Sequence, residues 1–354
     1  MRVLHYVTGI SRDIGGIEKF ILNIAEKSDY RIDILTRNVY EDSIAYSMLC
    51  NAGVIVYNLN MPHLNIRNII PFWKAIADFF KHNSETYDSL HIHYVVEPFL
   101  AKYAKQSGIK LTMLHVHSKV ICSNLIFQII KRYFIKLNCR WSDYYLACSK
   151  DVANKVYPAK YHEKIIVINN GIDCSQYRFE PEIRELYKEK YNAHGIVMCH
   201  VGRFVKIKNH EFIIDIFIGI LRNYPDAKLI LAGEGPEKKN IQEKCKKNKI
   251  DEKVIFLGDV KDITPYLSMS DAFIFPSFSE GLGIVAIEAQ ANGLPVVASL
   301  DNVPKEVAIT DLVKFIPLSN NPDEWLSMIV SSIVLEKNTR REYNEKVVRA
   351  GFDI

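Results

Sequence analysis

FPSFSEGLGIVAIEA, residues 275–289, is the stretch from which the fold of this 354-residue chain can be worked out. The apolar run 271–275 has the length and the β-branched and aromatic character of a buried strand, and a proline ends it. Residues 277–283 then read as a loop leading into a helix through Ile284, Ile287, Ala291 and Leu294. Glu280 lies in this loop, and Glu288 lies about two turns into the helix.

The start of that helix offers free backbone N–H groups and a positive dipole end, which suit a phosphate or a sugar oxygen. Carboxylates such as Glu280 and Glu288 can accept hydrogen bonds from several hydroxyls. The stretch therefore predicts a site for a sugar carrying a phosphate. The alternative is structural, with Glu280 as a helix-capping acid and Glu288 as a solvated or salt-bridged helix residue.

Short apolar strands alternate with helix-length segments along the whole chain. The predicted strands are 2–7, 31–36, 54–59, 89–93, 110–115, 143–147, 165–168, 196–201, 228–232, 254–257, 271–275, 295–298 and 313–316. This alternation predicts parallel sheets covered by helices, and thirteen strands exceed one comfortable sheet. The fold class is therefore α/β, with two doubly wound Rossmann-like domains, 1–173 and 174–354, that face each other across a cleft. Ligands of such sheets bind at the carboxyl ends of the strands.

Composition and charge narrow the class of protein. The chain is 48% hydrophobic and 24% charged, which is typical of a globular protein. Seven unclustered cysteines indicate reduced thiols in a cytoplasmic protein, and no apolar run has the roughly 18 residues of a membrane span. Residues 1–173 carry 21 Lys/Arg against 15 Asp/Glu, a net charge of +6, and residues 98–142 carry eight basic residues and no acidic one. No nucleic-acid motif accompanies this charge, so an anionic membrane or acceptor is the expected partner.

The first half has two motifs at strand ends. Gly15 and Gly16, between strand one and a helix, allow a close backbone approach to a phosphate or hydroxyl, although a structural tight turn explains them equally. The dinucleotide pattern GxGxxG is absent. His115 and His117 alternate onto one face at the carboxyl edge of strand five. No carboxylate or cysteine nearby in sequence completes a metal site, so hydrogen bonding to a sugar hydroxyl is preferred over metal binding or loop histidines without a role.

Residues 124–140 predict an amphipathic helix with a basic side. Its apolar residues include aromatic ones, and the other side carries Lys131, Arg132, Lys136 and Arg140. Such a helix suits the surface of an anionic membrane. An ordinary core helix with a solvated basic side is the alternative.

Basic and glycine-rich turns follow the first three strands of the second half. Arg203 and Lys208 flank the turn after strand 196–201, where they could clamp a diphosphate. Glycine turns follow the next two strands at 232–236 and 256–260.

In this order, the motifs resemble those of the retaining two-domain (GT-B) glycosyltransferases of family 4, and the resemblance covers nearly the whole chain. It rests on the Gly15-Gly16 loop, NGID at 170–173, VGR at 201–203 with Lys208-Asn209, GEGP at 233–236, the Glu280-x7-Glu288 pair and GLPVVA at 293–298. The His115/His117 pair is most similar to members that build bacterial capsular polysaccharide or exopolysaccharide.

The resemblance implies a role for each motif in binding a nucleotide-sugar donor, expected to be a UDP-sugar. Arg203 and Lys208 would hold the donor diphosphate, Glu280 the hydroxyls of the donor sugar, and Glu288 the ribose. Gly281, Leu282 and Gly283 would present backbone N–H groups, and His115, in preference to His117, would touch the sugar or the acceptor. Gly15 and Gly16 would approach the phosphates of the donor. The nucleobase would be bordered by Gly233, Gly235 and Val260.

The resemblance also implies the reaction: transfer to a saccharide or lipid-linked saccharide with retention of anomeric configuration, at the inner face of the cell membrane. No Asp-x-Asp motif occurs, so no metal and no cofactor are expected, and positive side chains and helix dipoles would replace the metal. Family members usually end in a helix that crosses back onto the first domain. Residues 351–354 resemble the segment just before it, so we expect this helix to be missing.

Two other functions fit the same architecture. A sugar-nucleotide epimerase would turn over the donor without an acceptor. A non-catalytic sugar-nucleotide-binding or polysaccharide-binding subunit would need a partner, and the basic and acidic site residues argue against it.

Overall fold

The structure, a computed structural model, describes residues 1–10, 15–61, 67–93, 97–119, 125–333 and 339–354. It divides into two compact units, Met1–Asn170 and Gly171–Ile354. The division lies three residues before the boundary expected from the sequence. Each unit contains one sheet in which all of the paired strands are parallel.

Unit 1, Met1–Asn170, is built on a seven-stranded sheet of order β3-β2-β1-β4-β5-β6-β7. Its strands are β1 Arg2–Val7, β2 Arg31–Thr36, β3 Ile55–Asn58, β4 Ser89–His93, β5 Leu111–Val116, β6 Tyr144–Ala147 and β7 Ile165–Val167. Its helices are α1 Gly16–Lys27, α2 Ile44–Asn51, α3 Ile69–Asn83, α4 Leu100–Gln106, α5 Leu125–Cys139 and α6 Lys150–Val156. The inner strands are largely buried, whereas the edge strands β3 and β7 are partly exposed, and the chain reverses its direction of winding between β1 and β4.

Unit 2, Gly171–Ile354, is built on a six-stranded sheet of order β10-β9-β8-β11-β12-β13. Its strands are β8 Val197–Val201, β9 Lys228–Ala232, β10 Val254–Gly258, β11 Ala272–Phe275, β12 Val296–Ser299 and β13 Val313–Ile316. Its helices are α7 Pro181–Lys190, α8 His210–Asn223, α9 Lys238–Lys247, α10 Thr264–Met269, α11 Ile284–Ala291, α12 Pro322–Ser332 and α13 Arg340–Val347. Its winding reverses between β8 and β11, and this switch point is where ligands of open α/β sheets bind.

The fold class expected from the sequence is confirmed as two parallel α/β units, and all thirteen predicted strands are present. One helix boundary was predicted wrongly. The helix after β11 ends at Ala291 and does not reach Leu294, because the backbone N–H groups of Gly293 and Leu294 turn back to the carbonyls of Gln290 and Ala289. Among the described helices, none combines the length and the apolar character that crossing a membrane requires.

Candidate functional site

Three loops lie side by side at the carboxyl ends of β8, β9 and β10 in unit 2. The backbone N–H of Phe204 donates to the carbonyl of Glu234 (2.8 Å), and that of Gly233 donates to the carbonyl of Gly258 (2.8 Å). A Cβ at Gly233 would lie 2.4 Å from the carbonyl oxygen of Gly202, so only glycine permits this approach. The backbone of Gly235 packs equally closely on Phe204, and Val260 is half-buried beyond β10.

The loop after β11 brings two of the predicted residues together. Lys208 Nζ donates to Glu280 Oε1 at 2.6 Å, and their side chains remain 20% and 10% exposed. The loop is held in place because the N–H of Phe278 donates to the carbonyl of Ile207, and Asn209 Nδ2 donates to that of Pro276. A cation and a carboxylate are therefore fixed at one point of the sheet edge, still accessible to a ligand.

Arg203 lies at the end of β8 in the same set of loops. Its side chain is exposed, and it forms no ion pair with any part of the chain that the structure describes. A guanidinium has five N–H donors in a planar fork, which matches the oxygens of a phosphate. Arg203 is thus available to an anionic ligand.

Helix α11 starts directly behind the Glu280 loop. Gly283 is its N-cap, with a φ of +91°, and a Cβ there would lie 2.7 Å from the ring of Phe275. Residues other than glycine rarely adopt this positive φ, and a Cβ would also clash with the Phe275 ring, so this position requires glycine. No side chain caps the helix start, so its N–H groups, together with Gly281 and the buried Leu282, are placed as an anion site requires.

Glu288 lies one and a half turns into α11, at a buried position. Its Oε1 accepts a hydrogen bond from the Tyr177 hydroxyl at 2.9 Å. Burial, and then the Glu288 carboxylate, raises the pKa of Tyr177 above its ordinary range. No local pattern predicts this contact, because the two residues are 111 positions apart in the chain. A ribose would therefore meet Glu288 as a member of a hydrogen-bonded pair.

Two buried histidines lie beneath the loop of Arg203 and Lys208. His200 Nδ1 contacts the carbonyl of Ile274 at 2.8 Å, and the ring of His210 stacks on Phe204 with centroids 4.1 Å apart. Burial lowers the pKa of His210 to about 4 and that of His200 well below its ordinary value. Sequence reasoning did not single them out, although His200 lies in a strand of otherwise apolar residues.

In unit 1, the two predicted glycines lie at the start of α1. Gly15 is the N-cap and Gly16 is the first helical residue, while the preceding residues 11–14 lie outside the described part of the chain. The carboxylate of Glu18 lies so near Gly15 that a Cβ there would be 2.6 Å from Glu18 Oε2. The helix start therefore already faces one negative charge.

Five histidines from three neighbouring strands form one buried cluster in unit 1. His5 in β1 is paired in register with His91 in β4, and His93 is paired with His115 in β5; His117 follows β5. Alternation correctly placed His115 and His117 on one face, since their ring centroids are 3.9 Å apart. His115 is fully buried whereas His117 is part-exposed. Of the two predicted contacts, only His117 thus has a surface open to a ligand.

The cluster also provides two sets of three imidazoles whose nitrogens lie within 4.8 Å of one another: His5, His91 and His93, and His93, His115 and His117. Zinc accepts such ligands, and two nitrogens on one tetrahedral zinc, each about 2.0–2.1 Å from it, lie about 3.3 Å apart. The His5–His93 and His93–His117 contacts are shorter, at 2.7 and 2.8 Å. These lengths match N–H···N hydrogen bonds and do not favour a metal centre.

A buried ion pair lies at the carboxyl ends of the neighbouring strands. Glu97 Oε1 accepts from Arg37 at 3.1 Å, and its Oε2 accepts from Thr8 at 3.3 Å. Burial raises the pKa of Glu97 to about 7, although Arg37 opposes the shift. Sequence reasoning missed this pair, because Arg37 and Glu97 are 60 residues apart.

The outer surface of α5 combines apolar and basic side chains. Ile129 and Tyr133 are 59% and 57% exposed, and Arg132 and Lys136 are exposed beside them. A groove of about 360 Å³ runs between α5 and the C-terminal end of α6, and Arg132, Lys136 and Lys155 line it. The helix therefore does not bury all of its predicted apolar face in the core.

Comparison with known proteins gives the class to which this fold and these loops belong. The model described as Glycosyltransferase Family 4 matches residues 14–176, and the model described as Glycosyl transferases group 1 matches residues 183–348. The structure of HepE from Anabaena in complex with UDP-glucose superimposes with a TM-score of 0.79 at 20% identity, covering all of this chain and 96% of that one. The chain therefore belongs to the GT-B glycosyltransferases, with a family 4 domain followed by a group 1 domain.

Two relatives are similar over most of their length. The putative glycosyltransferase EpsF of Bacillus subtilis is 27% identical over 370 residues, which cover 99% of this chain and 93% of the relative. The UDP-Gal:α-D-GlcNAc-diphosphoundecaprenol α-1,3-galactosyltransferase of Escherichia coli is 25% identical over 312 residues, covering 81% of this chain and 77% of that enzyme.

Proposed function

We propose that the protein transfers a sugar from a UDP-sugar to a growing, lipid-linked polysaccharide acceptor, with retention of anomeric configuration. The observation that carries this proposal is the Lys208–Glu280 pair, 2.6 Å apart and partly exposed beside the start of α11. The names of the relatives support the choice of substrates: one transfers galactose from UDP-Gal to a diphosphoundecaprenol-linked sugar, and HepE was crystallised with UDP-glucose.

In this reaction Lys208 and Arg203 bind the donor diphosphate. The exposed Arg203 supplies a bidentate fork, and Lys208 supplies a point charge that it now shares with Glu280. As the glycosidic bond breaks, negative charge grows on the departing phosphate, and both cations and the N–H groups of α11 stabilise it. These groups take the place of a metal ion at the donor site.

Glu280 acts on the other side of the breaking bond. Its carboxylate accepts hydrogen bonds from the hydroxyls of the donor sugar, and its charge stabilises the positive charge that develops on the sugar ring. The departing phosphate oxygen takes the proton of the acceptor hydroxyl on the same face, which retains the configuration. Glu288, held by Tyr177, binds the ribose hydroxyls.

The acceptor side belongs to unit 1 in this proposal. His117 is part-exposed at the end of β5, and its Nδ1, buried and without a hydrogen-bond partner among the described residues, is the nitrogen left for a hydroxyl of the sugar or acceptor. His115 lies buried behind it. The start of α1 at Gly15 and Gly16 is the proposed phosphate contact of this unit.

The decisive experiment is a transfer assay with a panel of UDP-sugars and lipid-linked saccharides. We expect release of UDP in step with a new glycoside, whose anomeric proton coupling in NMR matches that of the donor. A donor that is isomerised without any acceptor would indicate an epimerase, and binding without turnover would indicate a binding subunit. An inverted product would refute the proposed retention.

We further propose that α5 docks unit 1 on the anionic inner leaflet of the cell membrane. The supporting observation is the exposed pair of Ile129 and Tyr133 beside basic side chains and the basic groove. Apolar side chains enter the lipid boundary while each nearby Lys or Arg contributes about 1 kcal/mol.

Vesicle co-sedimentation tests this docking. Binding should be strong on phosphatidylserine vesicles, weak on phosphatidylcholine vesicles and reversed by high salt. Changing Lys131, Arg132 and Lys136 together to Gln should weaken it. The same change at the exposed Lys239, Lys246 and Lys247 on or beside α9 is the matched control, with equal loss of charge in unit 2. Binding that ignores lipid charge, or equal effects of the two triple variants, would refute the docking.

A further inference from the structure

The hydrogen bonds inside the histidine cluster form a chain that ends at His117, the part-exposed ring of the cluster. His5 Nδ1 contacts His93 Nε2 at 2.7 Å, and His93 Nδ1 contacts His117 Nε2 at 2.8 Å. Both ring nitrogens of His93 are therefore used within the chain. The last atom, His117 Nδ1, has no hydrogen-bond partner among the described residues, although it is itself buried.

A second pair in the cluster packs against this chain, with the His91 and His93 ring centroids 4.1 Å apart, but is not hydrogen-bonded to it. His91 Nε2 contacts His115 Nδ1 at 3.2 Å, and neither ring is hydrogen-bonded to His117 in the described structure. Phe20 from α1 packs edge-on against His91, His93, His115 and His117, with centroids 5.2–6.1 Å away. The chain and the pair thus share one apolar surrounding, but only the chain reaches His117 through hydrogen bonds.

The hydrogen bonds of the chain couple the tautomers of its three rings. Burial lowers the pKa of His117 to about 3 and that of His5 and His93 well below the ordinary value, so each ring is neutral and carries one proton. Each N···N contact needs one proton between its two nitrogens. Two arrangements satisfy both contacts, one with every proton on Nδ1 and one with every proton on Nε2. The outer Nδ1 of His117 is a donor in the first and an acceptor in the second.

We propose that His93 is a positioning residue for transfer: through its Nδ1 contact it holds the orientation of His117 and ties the tautomer of His117 to that of His93, and so decides how the remaining nitrogen of His117 meets a ligand hydroxyl. His93 is fully buried and cannot touch a ligand itself. This inference rests on the proposed function, since it assumes that His117 contacts the sugar or the acceptor.

Two substitutions at one position separate the contact from the packing. The side-chain amide of His93→Asn occupies the place of Nδ1 and keeps the link to His117. The longer amide of His93→Gln occupies the place of Nε2 and keeps only the link to His5. We expect kcat for transfer to fall about 10- to 100-fold in His93→Gln, as for a misplaced catalytic group, with KM for the donor nearly unchanged. His93→Asn should recover most of this loss.

His91→Gln is the matched control, because His91 lies in the same strand and apolar surrounding and stacks on His93, but its hydrogen bond goes to His115. Its kcat should stay within about threefold of the wild type, a change below 1 kcal/mol. Equal losses in His93→Asn and His93→Gln, or an equal loss in His91→Gln, would overturn the proposal in favour of general packing.

A second measurement does not depend on activity. In protein labelled with ¹⁵N-histidine, the ¹⁵N shifts of His117, identified by their absence in His117→Gln, report which ring nitrogen carries the proton. We expect the same balance of neutral tautomers in the wild type and in His93→Asn, and a different balance in His93→Gln. An unchanged His117 tautomer in His93→Gln would overturn the inference. If the wild type transfers no sugar while this tautomer dependence is found, the proposed function fails and the positioning contact stands.

Discussion

Acidification should destabilise unit 1 more than unit 2, because unit 1 buries more neutral histidines. Burial lowers the pKa of His91 and His117 to about 3, and it lowers that of the other three rings in the cluster well below the ordinary value. A histidine in the unfolded chain has a pKa of about 6.5. The unfolded state therefore binds more protons below that pH, and the free energy of unfolding falls as the pH falls from 6.5 towards 3.

The magnitude follows from these values. At pH 5, each imidazole that stays neutral in the folded state lowers the free energy of unfolding by about 2 kcal/mol. The reason is that pH 5 lies about 1.5 units below the pKa of the ring in the unfolded chain. His91 and His117 together cost about 4 kcal/mol, and the other three rings of the cluster add to this loss. Glu97 opposes this loss of stability, because its pKa is raised to about 7 and the folded state therefore binds a proton as the pH falls. Lowering the pH from 7.5 to 5 then raises the free energy of unfolding by about 2 kcal/mol through Glu97. In unit 2, His210 costs about 2 kcal/mol and His200 adds to that.

Urea unfolding at pH 7.5 and pH 5.0, followed by tryptophan fluorescence, gives the stability of each unit separately if only that unit contains tryptophan. Trp325 is the tryptophan of unit 2, and Trp73 and Trp141 are those of unit 1. Trp325→Phe therefore reports on unit 1, and the double change Trp73→Phe and Trp141→Phe reports on unit 2. Comparing the two pH values within each variant cancels the effect of the substitution itself.

A matched pair of variants checks the assignment to the cluster. His91→Gln should shrink the loss in unit 1 between pH 7.5 and 5.0 by about 2 kcal/mol. His82→Gln, an exposed ring on α3, should leave it unchanged. Equal acid sensitivity of the two units, or equal effects of these variants, would refute the account of a neutral buried cluster.

Three further predictions concern the donor site in unit 2. Glu280→Gln should lower kcat strongly while the affinity for UDP changes little, because its charge acts mainly in the transition state; unchanged kcat in a steady-state assay would remove this role. Gly283→Ala should lower the free energy of unfolding of unit 2 by about 2–4 kcal/mol in urea, since its φ is +91° and its Cβ would meet the Phe275 ring. Gly53→Ala is the control: its φ is +80° but the space around it is open, so it should lower the free energy of unfolding of unit 1 by only about 1 kcal/mol. Omitting Mg²⁺ and Mn²⁺ and adding a chelator should leave the initial rate of transfer unchanged, and a strict requirement for either ion would contradict the proposed donor site.

The secondary structure could be predicted because its signals are local. Most strands are short, largely apolar runs bounded by turn residues, and Pro276 and Gly283 mark the ends of the loop after β11 within the quoted stretch. The end of α11 was missed because the sequence continues its apolar pattern to Leu294, while backbone hydrogen bonds close the helix three residues earlier.

Contacts between distant residues could not be predicted in the same way. The motif pattern singled out Lys208 and Glu280 separately, but their 2.6 Å contact depends on how two loops fold together. His115 and His117 were visible from alternation, whereas the contribution of His5 depends on β1 lying beside β4 in the sheet. Such partners are set by strand order, which a single sequence does not display.

The most direct test of the proposed donor site is a calorimetric titration of UDP into the wild type, Lys208→Ala and Lys206→Ala. Lys206 is exposed two residues away in the same loop and serves as the control for charge. If Lys208 holds the diphosphate, its removal should weaken binding by about 2 kcal/mol, roughly 30-fold in Kd, while Lys206→Ala binds as the wild type does. Equal affinity for UDP in Lys208→Ala and the wild type would contradict the assignment of the donor site to the Lys208–Glu280 pair.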